Sequence, residues 1–477
     1  MPEKYITGIR VLDEVILNGG FDSGSLVAVA GHPGSGKTSF ASMVAYYNGI
    51  RDRKILYLTF QESKKKLFSH MKKLGLDLEG LEREGLLTFI RLPVISSPEA
   101  AEDVINKISG LIYESKADVL IVDSVNPLLE ALDSSVDRRG VLQNFFYSVP
   151  ELIGGLAVII VEIPYGESNP RLIGGVDFVA DAVIVLHHRL EGDYISRFLE
   201  IRKLRGHEIP VAKFPFTIKT GTGIRLWAPL RLEEIPSPSE GKRYRPPCST
   251  VGRYLGDMLP GMITYTSYPA DARVITPIIF MGVAALYNRA KTMFISFTYS
   301  PGEIWELMGE VFKGYMGFGD KSGMLVNMIK KYVKIYSINV NSYSSSELYS
   351  RILDVLNEEK PEIVVFVGFH SLYNKMVKDM KDNLLNNILL YLKYNKIYSV
   401  ILSSYTGEKQ YWWTADTADS VIRYSFIVSN GSNSTRLVKY IYAWRKGREP
   451  VLLDVEAGNT CCDEIKELLE KMLRESG

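Results

Sequence analysis

The residues best suited to chemistry form one glycine-rich run, Gly31-His32-Pro33-Gly34-Ser35-Gly36-Lys37-Thr38, which satisfies the pattern G-x-x-x-x-G-K-[ST]. Its glycines allow the loop to curl so that backbone N–H groups surround phosphates, and the positive end of a following helix also attracts the negative charge of phosphate. Lys37 is placed to reach the β and γ phosphates, and the Thr38 hydroxyl to ligate Mg²⁺. We therefore expect the residues from Gly31 to Ser39 to bind the phosphates of a nucleoside triphosphate.

A second side chain must help to hold the Mg²⁺ and its water shell. The apolar run Val119-Leu120-Ile121-Val122 ends in Asp123. In open α/β folds, ligands bind beyond the carboxyl ends of the strands, and Mg²⁺ prefers carboxylate oxygens. The sequence therefore predicts that Asp123 joins Thr38 at the metal.

Short apolar runs alternate with helix-length segments through the first half of the chain, which is typical of a parallel sheet flanked by helices. The predicted core strands are residues 26–30, 54–60, 119–123, 157–161 and 182–186. A stretch rich in Ser, Pro and charged residues follows at 233–247 and favours extended backbone. We expect an α/β domain over 1–232, a linker over 233–247 and a second domain over 248–477.

The two halves share an internal repeat. Lys54 to Phe60 matches Lys291 to Phe297 at an offset of 291 − 54 = 237. Asp181 to Ile184 matches Asp419 to Ile422 at 419 − 181 = 238. Because the register survives across separated segments, we expect two copies of one fold.

Composition restricts the class of protein. With 477 residues, 46% hydrophobic and 23% charged, the chain has the profile of a globular protein of two to three domains. Its net charge of 56 − 55 = +1 provides no large field toward nucleic acid or an anionic membrane. Cys248, Cys461 and Cys462 are expected to be free thiols. The N-terminus is polar and the longest apolar run is short, so we expect a cytoplasmic protein without a membrane span.

The order and spacing of several motifs resemble the KaiC-like ATPases of the RecA superfamily over about residues 5–230. The glycine-rich run is followed by Leu58-Thr59-Phe60-Gln61-Glu62-Ser63, by Val122-Asp123-Ser124 and by Leu199 to Gly206. The resemblance implies two tandem RecA-like P-loop NTPase domains, each with a mainly parallel sheet flanked by helices, that bind ATP and Mg²⁺. It also implies a homo-oligomeric ring, usually a hexamer, with ATP between neighbouring subunits.

In that family a Lys-Leu-Arg-Gly stretch points its basic side chains at the ATP of the next subunit. The resemblance therefore assigns Lys203 and Arg205 as a catalytic finger that acts in trans. A guanidinium is always charged and stabilises the charge that spreads over the γ-phosphoryl oxygens during cleavage.

The chain departs from the family at the residue that orients the attacking water. The family has two adjacent glutamates after the strand, whereas this chain has Gln61 and then Glu62. An amide cannot accept the proton, although it can hold a water by hydrogen bonds. We expect slow turnover, and both hydrolysis through Glu62 and near-zero hydrolysis stay open.

The second copy lacks the phosphate-binding equipment. The equivalent segment, Ser267 to Val274, has no glycine, so the loop cannot curl around phosphate. The Gln61-Glu62 pair maps to Thr298-Tyr299, and Asp123 maps to Val367 or Gly368. The finger maps to Trp444-Arg445-Lys446-Gly447. We expect the second domain to be a pseudo-ATPase.

The leading hypothesis is a regulatory or scaffolding ATPase whose ATP state controls ring geometry and the binding of an unidentified protein partner. One alternative is a DNA-acting recombinase or helicase of the same superfamily, with the loop from Tyr165 to Arg171 contacting single strands. Another alternative is a nucleotide-gated structural protein that never hydrolyses ATP. The near-zero net charge disfavours the DNA-acting class.

Overall fold

The computed structural model describes residues 4–132, 140–164, 175–234, 236–238, 241–270, 275–377, 383–430, 435–453 and 455–476. The chain divides into two compact units. One comprises residues 1–231 with 346–350, and the other comprises residues 232–345 with 351–477.

The first unit contains a two-stranded sheet, β1-β2, and a nine-stranded sheet. Its strands are β1 (Lys4–Tyr5), β2 (Phe21–Asp22), β3 (Ser25–Gly31), β4 (Ile55–Thr59), β5 (Leu87–Arg91), β6 (Val119–Asp123), β7 (Leu156–Glu162), β8 (Ala182–Glu191), β9 (Tyr194–Leu204), β10 (Lys213–Lys219) and β11 (Gly223–Leu226). The large sheet has the order β11-β10-β9-β8-β3-β7-β6-β4-β5. The six strands from β8 to β5 run parallel, and β9, β10 and β11 are antiparallel.

Helices cover both faces of this sheet. They are α1 (Lys37–Gly49), α2 (Lys64–Lys73), α3 (Leu78–Arg83), α4 (Pro98–Ser115), α5 (Asn126–Glu130), α6 (Val149–Leu152) and α7 (Val176–Val179), with further helical turns at Leu12–Ile16 and Leu142–Phe146. Helix α4 shows how local sequence sets these boundaries. The Ser97 side chain accepts a hydrogen bond from the Ala100 amide, and Pro98 occupies the first turn.

The interior positions of the central strands are apolar because both faces of these strands are buried. On β3, Val27 and Val29 pack into the core on one side of the sheet, whereas Ala28 and Ala30 pack into the core on the other. A parallel sheet covered by helices requires this continuous apolar pattern. Each of the five predicted core strands is present, so this part of the prediction is confirmed.

The second unit is built on an eight-stranded sheet of order β14-β13-β15-β16-β12-β17-β18-β19. These strands are β12 (Ile263–Tyr268), β13 (Thr292–Ser296), β14 (Val333–Ser337), β15 (Ile363–Val367), β16 (Tyr398–Ser404), β17 (Ser420–Asn430), β18 (Thr435–Arg445) and β19 (Val451–Leu453). The first six strands of that order run parallel, and β18 and β19 are antiparallel.

The helices of the second half of the chain are α8 (Ser249–Leu255), α9 (Thr276–Asn288), α10 (Pro301–Glu310), α11 (Ser322–Lys330), α12 (Ser345–Glu359), α13 (Phe369–Val377), α14 (Leu384–Tyr394), α15 (Glu408–Thr417) and α16 (Val455–Ser476), with helical turns at Val311–Tyr315, Gly319–Lys321 and Val340–Ser342. Across the described ranges, the chain has no helix whose length and apolar content would suffice to cross a bilayer.

The two sheets have the same strand order, which confirms the predicted duplication and fold class. Read from β14 to β19, the second sheet repeats the order β5-β4-β6-β7-β3-β8-β9-β10 of the first. One side-chain contact is repeated with it. The Asp181 carboxylate accepts a hydrogen bond from the Leu26 amide at 2.9 Å, and Asp419 accepts one from the Ile263 amide at 2.9 Å. Both units are therefore RecA-like α/β folds.

The expectation of three free thiols is wrong. Cys248 and Cys461 form a disulfide, with their Cα atoms 5.3 Å apart, and Cys462 is not part of a disulfide. Cys248 directly precedes α8 and Cys461 lies on α16, two helices that contact each other. The partners are separated by 213 residues of sequence, so their proximity depends on the tertiary fold.

The disulfide predicts a thiol count and a stability effect. Alkylation of the denatured, unreduced protein should label about one thiol, because two of the cysteines are bonded to each other. The Cys248→Ser variant should lower the free energy of unfolding of the second unit by about 2–4 kcal/mol, because it releases a long closed loop. Peptide mass spectrometry and urea titration measure the two quantities.

The matched control is Cys462→Ser, which removes the thiol of the neighbouring residue. We expect it to leave the urea midpoint nearly unchanged and to abolish the labelling of the unreduced protein. Labelling of Cys248 and Cys461 before reduction would contradict the disulfide.

Candidate functional site

The glycine-rich loop connects the carboxyl end of β3 to the first turn of α1. Gly31 is the last residue of the strand, and a Cβ atom there would lie 2.5 Å from the carbonyl oxygen of Leu186 on the neighbouring strand. Gly36 precedes the helix with φ of 107°, a left-handed conformation that favours glycine. The loop can therefore pass close to β8 and turn its amides toward the start of α1 only because these positions lack side chains.

Lys37 is the first residue of α1 and is only 6% exposed. Its Nζ donates a hydrogen bond to the His32 carbonyl oxygen at 3.0 Å, so the side chain lies across the loop. Burial lowers the pKa of Lys37, while the negative charges of Glu162 and Asp123 oppose this shift. The ammonium group is thus held between the loop and two carboxylates.

Asp123 and Thr38 lie side by side, as the predicted metal site requires. Asp123 ends β6, and its carboxylate accepts hydrogen bonds from the Thr38 side chain and, at 3.0 Å, from the Tyr57 hydroxyl. Burial raises the pKa of Asp123, whereas these hydrogen bonds and the Lys37 charge act in the opposite direction. The hydroxyl and the carboxylate form the oxygen pair that a divalent cation needs from the protein.

Gln61 and Glu62 follow the end of β4, on the same edge of the sheet. Both amides donate to the Thr59 hydroxyl, at 3.3 and 3.4 Å. Gln61 is exposed, and the Glu62 carboxylate lies 3.7 Å from Lys66 Nζ. Burial raises the pKa of Tyr57 well above its ordinary value, and the charges of Asp123 and Glu62 add to that shift. Glu62 therefore acts on the same group that hydrogen-bonds Asp123.

The sequence analysis missed Glu162, which also belongs to this site. It is the last residue of β7 and pairs with Gly31 on β3. The Asn126 side chain fixes its backbone through two hydrogen bonds, of 2.7 and 3.0 Å. The charge of Glu162 acts on both Lys37 and Asp123. The signal was available, because Glu162 ends an apolar strand in the same way as Asp123 does.

The site has room and unused polar groups for a nucleotide. The buried hydroxyls of Ser35 and Ser124 have no hydrogen-bond partner, and a Cβ on Gly34 would meet no atom within 4 Å. The first amides of a helix lack a carbonyl one turn earlier and are free for an anion. These residues fit a nucleoside triphosphate with its divalent cation. Among the residues with described positions, no cluster of three or more His, Cys, Asp or Glu side chains could hold a metal alone.

Lys203 and Arg205 lie at the opposite edge of the sheet from this site. Leu204 pairs with Ala182, which in turn pairs with Val27, four residues before Gly31 on β3. At about 3.3 Å per residue, Val27 and Gly31 are about 13 Å apart along β3. Lys203 Nζ donates to the Asp177 carbonyl at 2.9 Å, and burial lowers the pKa of Lys203. The structure thus brings Lys37, Thr38 and Asp123 together but leaves both finger residues away from them.

Arg205 is held in an ion pair at that opposite edge. One of its guanidinium nitrogens lies 3.0 Å from an Asp181 carboxylate oxygen, and about half of the Arg205 side chain is exposed. Its backbone amide also donates to the Asp181 carbonyl at 2.8 Å. The guanidinium therefore combines a partner in its own chain with an open side toward solvent.

The second unit has neither the glycines nor the lysine at its equivalent loop. Strand β12 ends at Tyr268 and α9 begins at Thr276. Asn48 near the end of α1 and Asn288 at the end of α9 each donate a side-chain hydrogen bond to the carbonyl four residues earlier and another to a carbonyl of a distant segment. The two helices are therefore equivalent at an offset of 288 − 48 = 240 residues. Pro277 then occupies the position of Lys37, so the expected segment Ser267 to Val274 is shifted by the longer loop. Its last four residues, like the loop from Tyr165 to Arg171, lie outside the described residues.

The remaining equivalences are settled by hydrogen bonds and strand register. The Ser296 hydroxyl accepts from the amides of Thr298 and Tyr299 as Thr59 does from Gln61 and Glu62. Ser296 pairs with Val367 as Thr59 pairs with Asp123, so Val367 and not Gly368 replaces the carboxylate. The phosphate-binding and metal-binding side chains are therefore missing from the second copy.

Comparison with known proteins agrees with this geometry. Residues 5–231 match the family described as "ATPase: KaiC". The chain is 30% identical over 263 residues to "Circadian clock protein KaiC3" of Synechocystis sp., covering 53% of this chain and 51% of that protein. It is 36% identical over 238 residues to "Circadian clock oscillator protein KaiC" of Synechococcus elongatus, covering 47% and 44%. The chain thus spans about half the length of the curated relatives it matches.

A phosphate loop after the central strand of a parallel sheet, with a carboxylate on the next strand but one, defines a P-loop NTPase of the RecA superfamily. Within that superfamily, residues 5–231 match one particular family. Residues 5–231 of the first unit match the KaiC ATPase family, and the two relatives support a KaiC-like ATPase of the RecA superfamily.

The difference between the two loops predicts the nucleotide stoichiometry. Isothermal titration with Mg·ATP should give about one site per chain, because only the first loop presents amides and a lysine to phosphate. Lys37→Ala should abolish that site. Its matched control is Pro277→Ala at the equivalent position of α9, which should leave the titration unchanged. Two sites per chain would contradict the assignment of the second copy.

Proposed function

We propose that this protein is a slow Mg²⁺-dependent ATPase that forms a homo-oligomeric ring, a hexamer by analogy with its family, in which ATP state controls ring geometry and the binding of a protein partner. The observation that carries the proposal is the location of Lys203 and Arg205. Both lie at the sheet edge opposite the phosphate loop, so they serve a nucleotide only if that nucleotide is bound by a neighbouring subunit. Residues 1–232 supply the catalytic domain, and residues 248–477 supply a second domain that does not bind ATP.

The ground state is held by one set of side chains. The loop amides and Lys37 bind the β and γ phosphates, and Thr38 and Asp123 hold the Mg²⁺, which would neutralise charge that develops on the phosphate oxygens. Burial of Lys37 strengthens its interaction with phosphate because little water competes there. These contacts account for nucleotide binding, and the Mg²⁺ would add stabilisation of the transition state.

The transition state is served by different residues. Gln61 and Glu62 orient the attacking water, and the exposed guanidinium of Arg205 with the Lys203 ammonium stabilises charge on the neighbour's γ-phosphoryl group. Arg205 must leave Asp181 in order to do so. Because the Arg205 side chain in that ion pair is 51% exposed, separating the pair costs about 1 kcal/mol or less.

The amide of Gln61 predicts slow hydrolysis that a carboxylate would relieve. Gln61→Glu should raise the single-turnover rate roughly tenfold, at the low end of general-base effects, because Glu62 supplies part of that assistance already. A rate equal to that of the parent would show that a step other than water activation limits the cycle.

Glu62→Gln in the unmodified chain should remove most of the remaining turnover while ATP affinity stays within about a factor of three, because Glu62 does not hold the ground-state phosphates. The matched control is Glu82→Gln. Glu82 pairs with Lys64 of α2 at 2.7 Å, as Glu62 pairs with Lys66 of the same helix, but it follows no strand of the site. The control should retain the parental rate.

The trans assignment predicts complementation in mixed rings. Arg205→Ala should lower turnover without weakening ATP binding, and Lys37→Ala should abolish binding, yet rings that contain both variants should regain activity. In such rings an intact loop in one subunit meets an intact finger from its neighbour. Lys446→Ala is the matched control, since the Lys446 amide donates to Asp419 as the Arg205 amide does to Asp181. Assembled mixed rings without activity would overturn the assignment.

Partner binding is tested separately, by affinity capture with the protein loaded with ATP or with ADP. A partner retained with one nucleotide only would support the regulatory role. Stimulation of turnover by single-stranded DNA, with a steep dependence on salt, would instead support the DNA-acting class.

A further inference from the structure

The second unit contains a cavity of about 570 Å³ within its own fold. It lies between the sheet strands β12, β17 and β18 on one side and helices α8, α9 and α16 on the other. Most of its lining is apolar, with Met258, Met262, Ile279, Phe280 and Ile422 among the contributing side chains. Pockets of 300 to 1,000 Å³ with such a lining are typical of sites for small organic ligands.

The cavity exists because the second copy has less sheet than the first. In the first unit, β10 and β11 add Phe214, Phe216, Ile224 and Leu226 to the core against α1. The counterpart of β10 is β19, with three residues, and the described part of the second unit has no counterpart of β11. The volume that these aromatic and aliphatic side chains fill in the first copy is therefore not filled by strands in the second.

Two helices that the disulfide connects cover this space. Thr250, Val251 and Tyr254 of α8 line the cavity, as do Cys461 and Ile465 of α16. The Cys248–Cys461 bond fixes the start of α8 to α16. The cavity is thus covered by two helices that are fixed to each other.

The charge of the lining restricts what can bind. No Lys, Arg or His is among the described residues that line the cavity, and its one ionisable acid is Asp257. Arg243, which lies 4.0 Å from the Asp257 carboxylate, and Arg445, on whose pKa the Asp257 charge acts, are not among those lining residues. An anion in the cavity would therefore gain no direct ion pair with a lining side chain, which is unfavourable in an apolar environment. Nucleotides, phosphates and fatty-acid carboxylates are therefore poor ligands for this space.

A cluster of three linked hydroxyls lies among the polar groups that line the cavity. Thr264 Oγ1 lies 2.9 Å from both the Tyr398 hydroxyl and the Ser420 hydroxyl, and all three residues line the cavity and are at least nine-tenths buried. Three hydroxyls carry three hydrogens, and the two contacts use two of them. The third hydrogen remains for an acceptor on a ligand.

We propose that this cavity is a binding site for a neutral, largely apolar small molecule that carries one hydrogen-bond acceptor, such as a carbonyl or an ether oxygen. The apolar walls bury its hydrocarbon or aromatic surface, and the hydroxyls of Thr264, Tyr398 and Ser420 bind its acceptor. This site is separate from the ATP site and does not depend on the function proposed for it.

The full chain can be titrated with Nile red, a neutral dye whose emission rises and shifts to the blue in apolar surroundings. We expect saturable binding of about one dye per chain. Val251→Trp, which adds bulk from α8 into the cavity, should weaken binding at least about tenfold, because the volume for the dye is lost. The matched control is Val94→Trp at an exposed position of the first unit, and it should bind as the parent does. Binding that does not saturate, or equal binding by both variants, would overturn the proposal.

A second variant keeps the test decisive if Val251→Trp does not fold. Thr264→Val preserves shape and removes the central hydroxyl, and it should weaken binding about three- to tenfold through the lost hydrogen bond. Competition then tests the chemical class. Decanol should displace the dye, and decanoate at pH 8 should be at least about tenfold weaker. Unchanged affinity in Thr264→Val, or stronger competition by decanoate, would contradict the assigned ligand class.

Discussion

The candidate site depends on one constraint: parallel strands that start at one edge of a sheet must also end together at the other edge. Strands β3, β4, β6 and β7 start at four separate points of the sequence, yet Gly31, Thr59, Asp123 and Glu162 meet at a single edge. Electrostatic interactions follow from that meeting. The buried ammonium of Lys37 has a depressed pKa and interacts with carboxylates from two of these strands. Without the shared edge, none of these charges would be close enough to affect another.

Comparison of the two copies distinguishes the residues that maintain the fold from the residues of the candidate site. The second sheet keeps the strand order of the first, and Asp419 repeats the contact of Asp181 with the start of the central strand. The candidate metal-binding and phosphate-binding positions have not been kept, because Val367 replaces Asp123 and Pro277 replaces Lys37. The counterpart of β10 is the three-residue strand β19, and a cavity lies in the second unit where the first unit has a packed core. The copies have therefore diverged in loops, edge strands and cover helices, while the parallel core is retained.

Sequence patterns predicted the core and the loop because both depend on local order. Apolar runs report burial on two faces, and the run from Gly31 to Thr38 has its chemistry within eight consecutive positions. Features that depend on contacts between residues far apart in the sequence were missed or predicted wrongly. The Cys248–Cys461 bond requires two helices to meet across 213 residues, and the position of Pro277 depends on a longer loop that the strand offset does not reveal. Glu162 ends an apolar run as Asp123 does, but only the pairing of β7 with β3 shows that it lies at the same site.

The Asp181 carboxylate occupies a position that connects two distant parts of the first unit. One oxygen accepts the Leu26 amide at the start of β3, and the other pairs with Arg205. A displacement of Arg205 would leave that carboxylate with fewer partners at the base of the strand that leads directly to Gly31. Communication between Arg205 and the phosphate loop of the same unit therefore requires no long relay of side chains. A single rigid strand, with the carboxylate at one end and the phosphate loop at the other, is sufficient.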